Sequence, residues 1–305
     1  MRHFLNLMSV APDELTRLLS EAARLKIERK RGHLPGTLEG RVAALIFEKP
    51  SLRTRVSFES GMAQLGGTSM FIAGSEIGLG VRETLPDFAR TMSRFVDFIV
   101  LRVFKQSTVD TVAQYATCPV INGLSDTSHP CQALADLQTI QEQFGTLAGR
   151  TVVFVGDGNN VARSLAVGCG KLGLKFVLSC PEGYGFDGGF AARWKAAIAA
   201  PFPEEVRDPR KAVKNADAIY SDVFTSMGQE AESARRMELF MPYQVDAALL
   251  RNAPKSVKFM HCLPAHRGEE VTDEVIEGPA SVVFDQAENR LHAQKAILEW
   301  LHASR

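Results

Sequence analysis

The 305-residue chain has no net charge, with 35 lysines and arginines balancing 35 aspartates and glutamates. A nucleic acid or an anionic membrane surface would find no basic field here, so basic residues matter only where they gather locally. No apolar run approaches the ~20 residues that a membrane-spanning helix needs. The opening Met1-Arg2-His3-Phe4-Leu5-Asn6 turns polar before a signal-type apolar core can form, so export is not expected. Cysteine is scarce: five residues, an odd number at wide spacing. That argues against a disulfide framework and for free thiols in a reducing compartment, the cytoplasm. No internal repeat or low-complexity tract occurs, and no P-loop supports nucleotide hydrolysis.

A hydrophobic fraction of 45% over 305 residues suits a globular protein of two domains. After an N-terminal amphipathic helix with Leu15, Leu18, Leu19, Ala22 and Leu25 on one face, short apolar runs alternate with helical spacing. Strands are expected at 42–47, 68–72, 98–103 and 119–122 in the first half, and at 151–155, 176–178, 218–221, 257–260 and 282–284 in the second. Helices are expected at 55–65, 85–95, 108–116, 130–144 and roughly 287–302. This alternation implies an α/β fold of two domains, each a mainly parallel sheet flanked by helices. The second begins with an apolar strand and a glycine-bearing turn, Gly156-Asp157-Gly158, which makes it Rossmann-like.

The most informative stretch is Phe47-Glu48-Lys49-Pro50-Ser51-Leu52-Arg53-Thr54-Arg55. It leaves a buried strand and enters a helix, with Ser51 as a good N-cap. The first turn offers unpaired backbone N–H groups at the positive end of a helix dipole, and Arg53, Arg55 and the hydroxyls of Ser51 and Thr54 add to it. A doubly charged phosphate is the natural guest. Three more polar clusters also stand at strand ends: His129-Pro130-Cys131-Gln132, Asp222 through Ser226-Met227-Gly228, and His261-Cys262-Leu263-Pro264. Such clusters suit an enzyme whose site lies outside the carboxyl ends of its strands.

With Gly156-Asp157-Gly158-Asn159-Asn160 and Ala287-Glu288-Asn289-Arg290, these motifs run over essentially the whole chain. In that order the chain resembles the aspartate/ornithine carbamoyltransferase family, on its ornithine side. The resemblance implies transfer of the carbamoyl group from carbamoyl phosphate to the δ-amine of L-ornithine, giving L-citrulline and phosphate, without metal or cofactor. It implies a carbamoyl phosphate domain over 1–130, an ornithine domain over 131–286, and a C-terminal helix, 287–305, that returns to the first domain. Phosphate contacts are implied for Ser51, Leu52, Arg53 and Thr54. Arg102 would span phosphate and carbonyl oxygen, His129 and Gln132 would hold the carbamoyl oxygen and amide, and Arg290 would close on the same ligand. Cys262 and the Leu263 carbonyl would lie near the δ-amine and the reacting carbon. Asn160, Asp222, Ser226 and Met227 would hold ornithine. The implied assembly is a homotrimer, or a larger assembly of trimers, with active sites at subunit interfaces.

Taken singly, each residue also has a plain structural role: a capping histidine, an inert buried thiol, a solvated surface arginine. A nicotinamide-dependent dehydrogenase is disfavoured because Val161 stands where G-x-G-x-x-G needs its third glycine. A Cys262/His129 hydrolase lacks a local signature, and His261, Cys262 and His266 match no standard zinc spacing. Among the family's own chemistries, aspartate, putrescine or an N-acylated ornithine are the alternative amines. One departure concerns the loop after the second strand, where the family places a glutamine. Here Gly74-Ser75-Glu76-Ile77-Gly78-Leu79-Gly80-Val81-Arg82-Glu83 contains none. Glu76 or Gly78 takes its place, and Arg82 is a candidate substitute. Glu76→Gln is expected to preserve or lower the KM for carbamoyl phosphate in steady-state kinetics; a large rise would give the glutamate its own positive role.

Overall fold

The computed structural model describes residues 1–225 and 230–304. It divides into two compact units: Met1–Gln138 with Glu288–Arg305, and Thr139–Ala287. The first boundary falls inside a helix, later than residue 130, where the sequence reading placed it.

In the first unit, helix α1 (Pro12–Lys30) buries Leu15, Leu18, Leu19, Ala22 and Leu25. Strand β1 (Val42–Phe47), helix α2 (Leu52–Gln64), strand β2 (Thr68–Ala73) and the short helix α3 (Gly74–Ile77) follow. Then come α4 (Leu85–Met92), β3 (Phe98–Arg102), α5 (Gln106–Tyr115), β4 (Val120–Leu124) and α6 (Pro130–Phe144). The four strands are parallel in the order β2-β1-β3-β4. Ala44, Ile46, Ile99 and Leu101 pack with Val109 and Val112 of α5. Helices cover the sheet, so its strands are near-continuous apolar runs rather than alternating ones, and each fully buried Val, Leu or Ile contributes roughly 1.5–3 kcal/mol.

The second unit contains β5 (Thr151–Val155), α7 (Asn160–Leu172), β6 (Lys175–Ser179), α8 (Gly188–Ala197), β7 (Glu204–Glu205) and α9 (Pro209–Ala212). After these come β8 (Ala218–Ser221), α10 (Ser233–Phe240), α11 (Ala247–Leu250), β9 (Lys258–His261) and α12 (Asp273–Ile276). Its parallel sheet has the order β7-β6-β5-β8-β9 around a core that includes Val153, Val155, Ile219 and Phe259. This winding is Rossmann-like. The two-residue β7, in the glycine- and proline-rich stretch before Pro209, was not legible from periodicity.

The expected strand at 282–284 does not form. Beside β9 the chain makes a single bridge at Ser281, with Phe259 N donating to Ala280 O and Val282 N to Phe259 O. Gln286 N then donates to Val282 O, and the apolar run becomes the start of helix α13 (Val283–His302). The run is too short for its composition to distinguish a buried helix start from a strand.

From Glu288 onward α13 belongs to the first unit. There Lys26 of α1 donates to Asn289 Oδ1 at 2.7 Å, and Glu299 accepts from Thr37. Glu299 also faces Glu21 and Arg24 of α1. Glu21 stays below the usual carboxylate range because Arg24 donates to it. Burial, together with Glu21, pushes Glu299 up to about 7. A carboxyl raised above its unfolded value favours folding while protonated, and that advantage is lost as pH rises from about 4.5 to about 7. Glu299→Gln is therefore expected to melt like the wild type near pH 5 and a few degrees higher at pH 8. The margin is about 1–2 kcal/mol once solvent screening is allowed for. Thermal unfolding at the two pH values checks this.

Candidate active site

Each sheet reverses its winding between two neighbouring strands, and a crevice opens outside the carboxyl ends at such a point. In the first unit the reversal lies between β1 and β3. Phe47 pairs with Arg102 there, and Glu48 N donates to Arg102 O at 2.8 Å. Ser51 is the N-cap of α2, as expected, its Oγ accepting from Thr54 N at 3.3 Å. The Ser51 hydroxyl also donates to Thr54 Oγ1 at 3.0 Å. Leu52 is exposed, so a contact from position 52 falls to its backbone N–H, while Arg53 is half-buried. On β4, a Cβ added to Gly123 would stand tightly, 3.2 Å, against Leu101 O of β3 and in ordinary contact, 3.6 Å, with the Thr54 methyl.

His129 and Gln132 open α6, with Pro130 as its first residue. Ser125 N donating to Ser128 O at 2.9 Å closes the preceding turn. Arg290, on the part of α13 that belongs to this unit, donates from Nη1 to Gln132 Oε1 at 3.0 Å and from Nη2 to Thr54 Oγ1 at 2.8 Å. Arg102, His129, Gln132, Thr54 and Arg290 are all buried. Burial, and then the positive charges of Arg290 and Arg102, hold the His129 imidazole well below its usual range. At neutral pH this histidine is uncharged and offers one ring N–H. Two buried guanidiniums, a helix N-terminus and a neutral N–H donor together suit a phosphoanhydride-like ligand with a polarisable carbonyl.

In the second unit the reversal lies between β5 and β8. Asp222 follows β8, and three donors converge on its carboxylate: Asn159 Nδ2 at 2.8 Å, Val223 N at 2.9 Å and Cys262 Sγ at 3.1 Å. Cys262 thus uses its S–H as a donor to an acid, which fits a polar contact rather than a nucleophile. Asn160 is the first residue of α7, and Asn159 caps that helix by accepting from Val161 N and Ala162 N. Leu263 holds a left-handed backbone, φ 54°, a strained state for a bulky residue. Its N–H donates to His261 Nδ1 at 2.9 Å, so the other ring nitrogen carries the proton and faces buried Glu270 at 3.0 Å. Gln286 supports the same strand end, accepting from His261 N at 2.9 Å. Ser226 and Met227 lie outside the described residues.

This geometry also removes two rivals. The space over the glycine turn is filled by the chain itself: Gly158 N donates to Tyr184 O at 2.9 Å, and a Cβ on Gly158 would stand 2.8 Å from the Gly185 backbone. Asp157 pairs with Arg236, leaving no cradle for a pyrophosphate. Both ring nitrogens of His261 are engaged, which takes it out of a zinc set with Cys262 and His266.

The carbamoyl-P binding domain model of the aspartate/ornithine carbamoyltransferases matches residues 2–142. The Asp/Orn binding domain model matches residues 148–301. The chain belongs to the aspartate/ornithine carbamoyltransferase family. An ornithine carbamoyltransferase of Pyrococcus abyssi is 52% identical over 302 residues, covering 98% of this chain and 95% of that protein. An anabolic ornithine carbamoyltransferase of Pseudomonas aeruginosa is 49% identical over 301 residues, covering 99% and 97%. The solved ornithine carbamoyltransferase of Pyrococcus furiosus superposes with a TM-score of 0.93 at 52% identity, covering 97% and 96%.

Within this family frame, several residues that shape the two half-sites went unread in the sequence. Asp136 and Asn159 touch Gln132 and Asp222 directly, Glu270 and Gln286 hold His261, and Arg236 holds Asp157 and the Phe224 carbonyl. Asp136 had a usable signal, since it stands four residues after Gln132 on one helix face. Glu270 and Gln286 had none, because only the folded chain brings them to His261. In the loop after β2, Glu76 and Arg82 are exposed, and Gly78 takes a left-handed turn, φ 58°.

His129→Ala is expected to lower turnover roughly 10²–10³-fold, the loss typical of one donor to a developing oxyanion. Because the imidazole stays neutral, the wild-type pH profile should carry no inflection near 6.5 that the variant lacks. Such an inflection would mean that His129 titrates.

Proposed function

We infer that this chain transfers the carbamoyl group of carbamoyl phosphate to the δ-amine of L-ornithine, giving L-citrulline and phosphate in the biosynthetic direction towards arginine. The amine nitrogen bonds to the carbonyl carbon, the carbon–oxygen bond to phosphate breaks, and the amine gives up a proton. The observation that carries the phosphate half is the buried Arg290 bridging Gln132 and Thr54 beside a neutral His129. The ornithine half is supported by Asp222 with its converging donors and by near-half identity, over essentially the whole length, to ornithine carbamoyltransferases.

In this reading Ser51, the Leu52 N–H, Arg53, Thr54 and Arg290 bind the phosphate. Arg102 spans phosphate and carbonyl oxygen, and His129 donates to that oxygen as its charge grows. Gln132 holds the carbamoyl amide. Preorganised donors of this kind each contribute about 3–4 kcal/mol to lowering the barrier, and pairing two substrates adds an entropic part of similar or larger size. Asp222 and Ser226 hold the α-ammonium of ornithine, Asn160 and the Met227 N–H its α-carboxylate. Cys262 and the Leu263 carbonyl sit by the δ-amine. The working form is a homotrimer, or an assembly of trimers, with active sites at subunit interfaces. The cytoplasm is its place, an assignment that rests on five free thiols. The runner-up is a carbamoyltransferase for another amine. Aspartate relatives lack the Ser-Met-Gly segment, putrescine has no α-carboxylate for Asn160, and an acylated α-amine would leave the buried Asp222 without its ion pair.

Citrulline and phosphate release from carbamoyl phosphate with L-ornithine, beside aspartate, putrescine and N-acetylornithine, tests the assignment. Turnover with ornithine alone is expected; turnover with another amine would keep the phosphate chemistry and overturn the ornithine assignment.

A further inference from the structure

Behind Gln132, on the same face of α6, lies Asp136, a fully buried acid that makes none of the expected substrate contacts. Gln132 Nε2 donates to Asp136 Oδ1 at 2.8 Å, while Gln132 Oε1 accepts from Arg290 Nη1 at 3.0 Å. A side-chain amide has two ends, one donating and one accepting, that are nearly equal in shape. Here the choice between them is forced. The Asp136 carboxylate accepts, a guanidinium can only donate, and an amide held between the two has one satisfied orientation: nitrogen towards Asp136, oxygen towards Arg290. Arg290 in turn reaches Thr54 Oγ1 at 2.8 Å, which accepts from the Ser51 hydroxyl at 3.0 Å. The relay from Asp136 through Gln132 and Arg290 therefore ends at the N-cap of the phosphate turn, and the Gln132 oxygen is the end that faces it.

We propose that Asp136 is a positioning and specificity-determining residue: by fixing the Gln132 amide it makes the site present an acceptor to the carbamoyl NH₂ group. The proposal rests on the carbamoyl phosphate reading and deepens it. A carbamoyl group differs from an acetyl group by having N–H donors where acetyl has a methyl. An inward-facing amide oxygen, already accepting from Arg290, gains a second donor from the first and none from the second. An inverted amide would set donor against donor and remove the preference. Asp136 touches no substrate in this scheme and acts through Gln132.

The test is Asp136→Asn, whose own amide can donate or accept and so no longer dictates the orientation. Three quantities are compared with the wild type: the KM for carbamoyl phosphate, and the inhibition constants of acetyl phosphate and inorganic phosphate against it. Carbamoyl phosphate is expected to weaken about tenfold or more, the scale of one buried hydrogen bond lost and its partner left unsatisfied, while the other two ligands move less than about twofold. A parallel shift of all three would make Asp136 a structural residue only and overturn the inference, as would an unchanged KM. If Asp136→Asn does not fold, Asp136→Ser, judged by its melting curve and the same three constants, takes its place. Wild-type protein that does not turn over carbamoyl phosphate with ornithine would instead sink the functional reading beneath it.

Discussion

Both candidate clusters stand where the winding of a parallel sheet reverses. Where the order reverses, between β1 and β3 and between β5 and β8, the connections depart to opposite faces and the strand ends between them stay uncovered. Most of the described candidate residues stand at or beside those ends. The anion turn, Arg102 and the opening of α6 stand at the first. The glycine turn with Asn159 and Asn160, Asp222 and Cys262 stand at the second. The remaining sequence builds apolar strands and covering helices that hold these two places still.

At the first place the governing quantity is buried positive charge. Arg102 and Arg290 are almost wholly removed from water, which is costly for a cation unless hydrogen bonds and a counter-charge answer it. The protein answers part of that cost with Gln132 and Thr54. The same field keeps His129 uncharged. A histidine that cannot take up a proton at neutral pH serves as a fixed N–H donor, which a developing oxyanion needs. Field, helix N-terminus and donor are thus one electrostatic arrangement rather than three separate contacts.

At the second place the hub is an anion. Asp222 gathers donors from the cap of α7, from its own backbone and from the end of β9, so three strand ends are tied through one carboxylate. The Leu263 backbone, strained at positive φ, is held by His261, which Glu270 and Gln286 fix in turn. The glycine turn resembles a dinucleotide motif in composition only. Tyr184 and Gly185 fill its cradle, and Arg236 takes Asp157.

Local chemistry was legible wherever a residue's role depends on its neighbours in sequence. The apolar runs marked eight of the nine strands among the described residues, Ser51 announced its helix, and Ser51, Arg53 and Thr54 sit at one helix start whatever the rest of the chain does. Val282–Phe284 misled because three apolar residues satisfy a strand and a helix start equally, and hydrogen bonding to β9 decides between them. Short-range sterics, capping and periodicity therefore reach most of the elements, their parallel winding and the turn capped by Ser51, but neither β7 nor the start of α13. The folded chain alone brings Arg290 to Gln132 and Thr54, and Glu270 and Gln286 to the His261 that holds Leu263. Those pairings join residues brought together by packing, and burial makes them strong by stripping away the water that would otherwise satisfy each group alone.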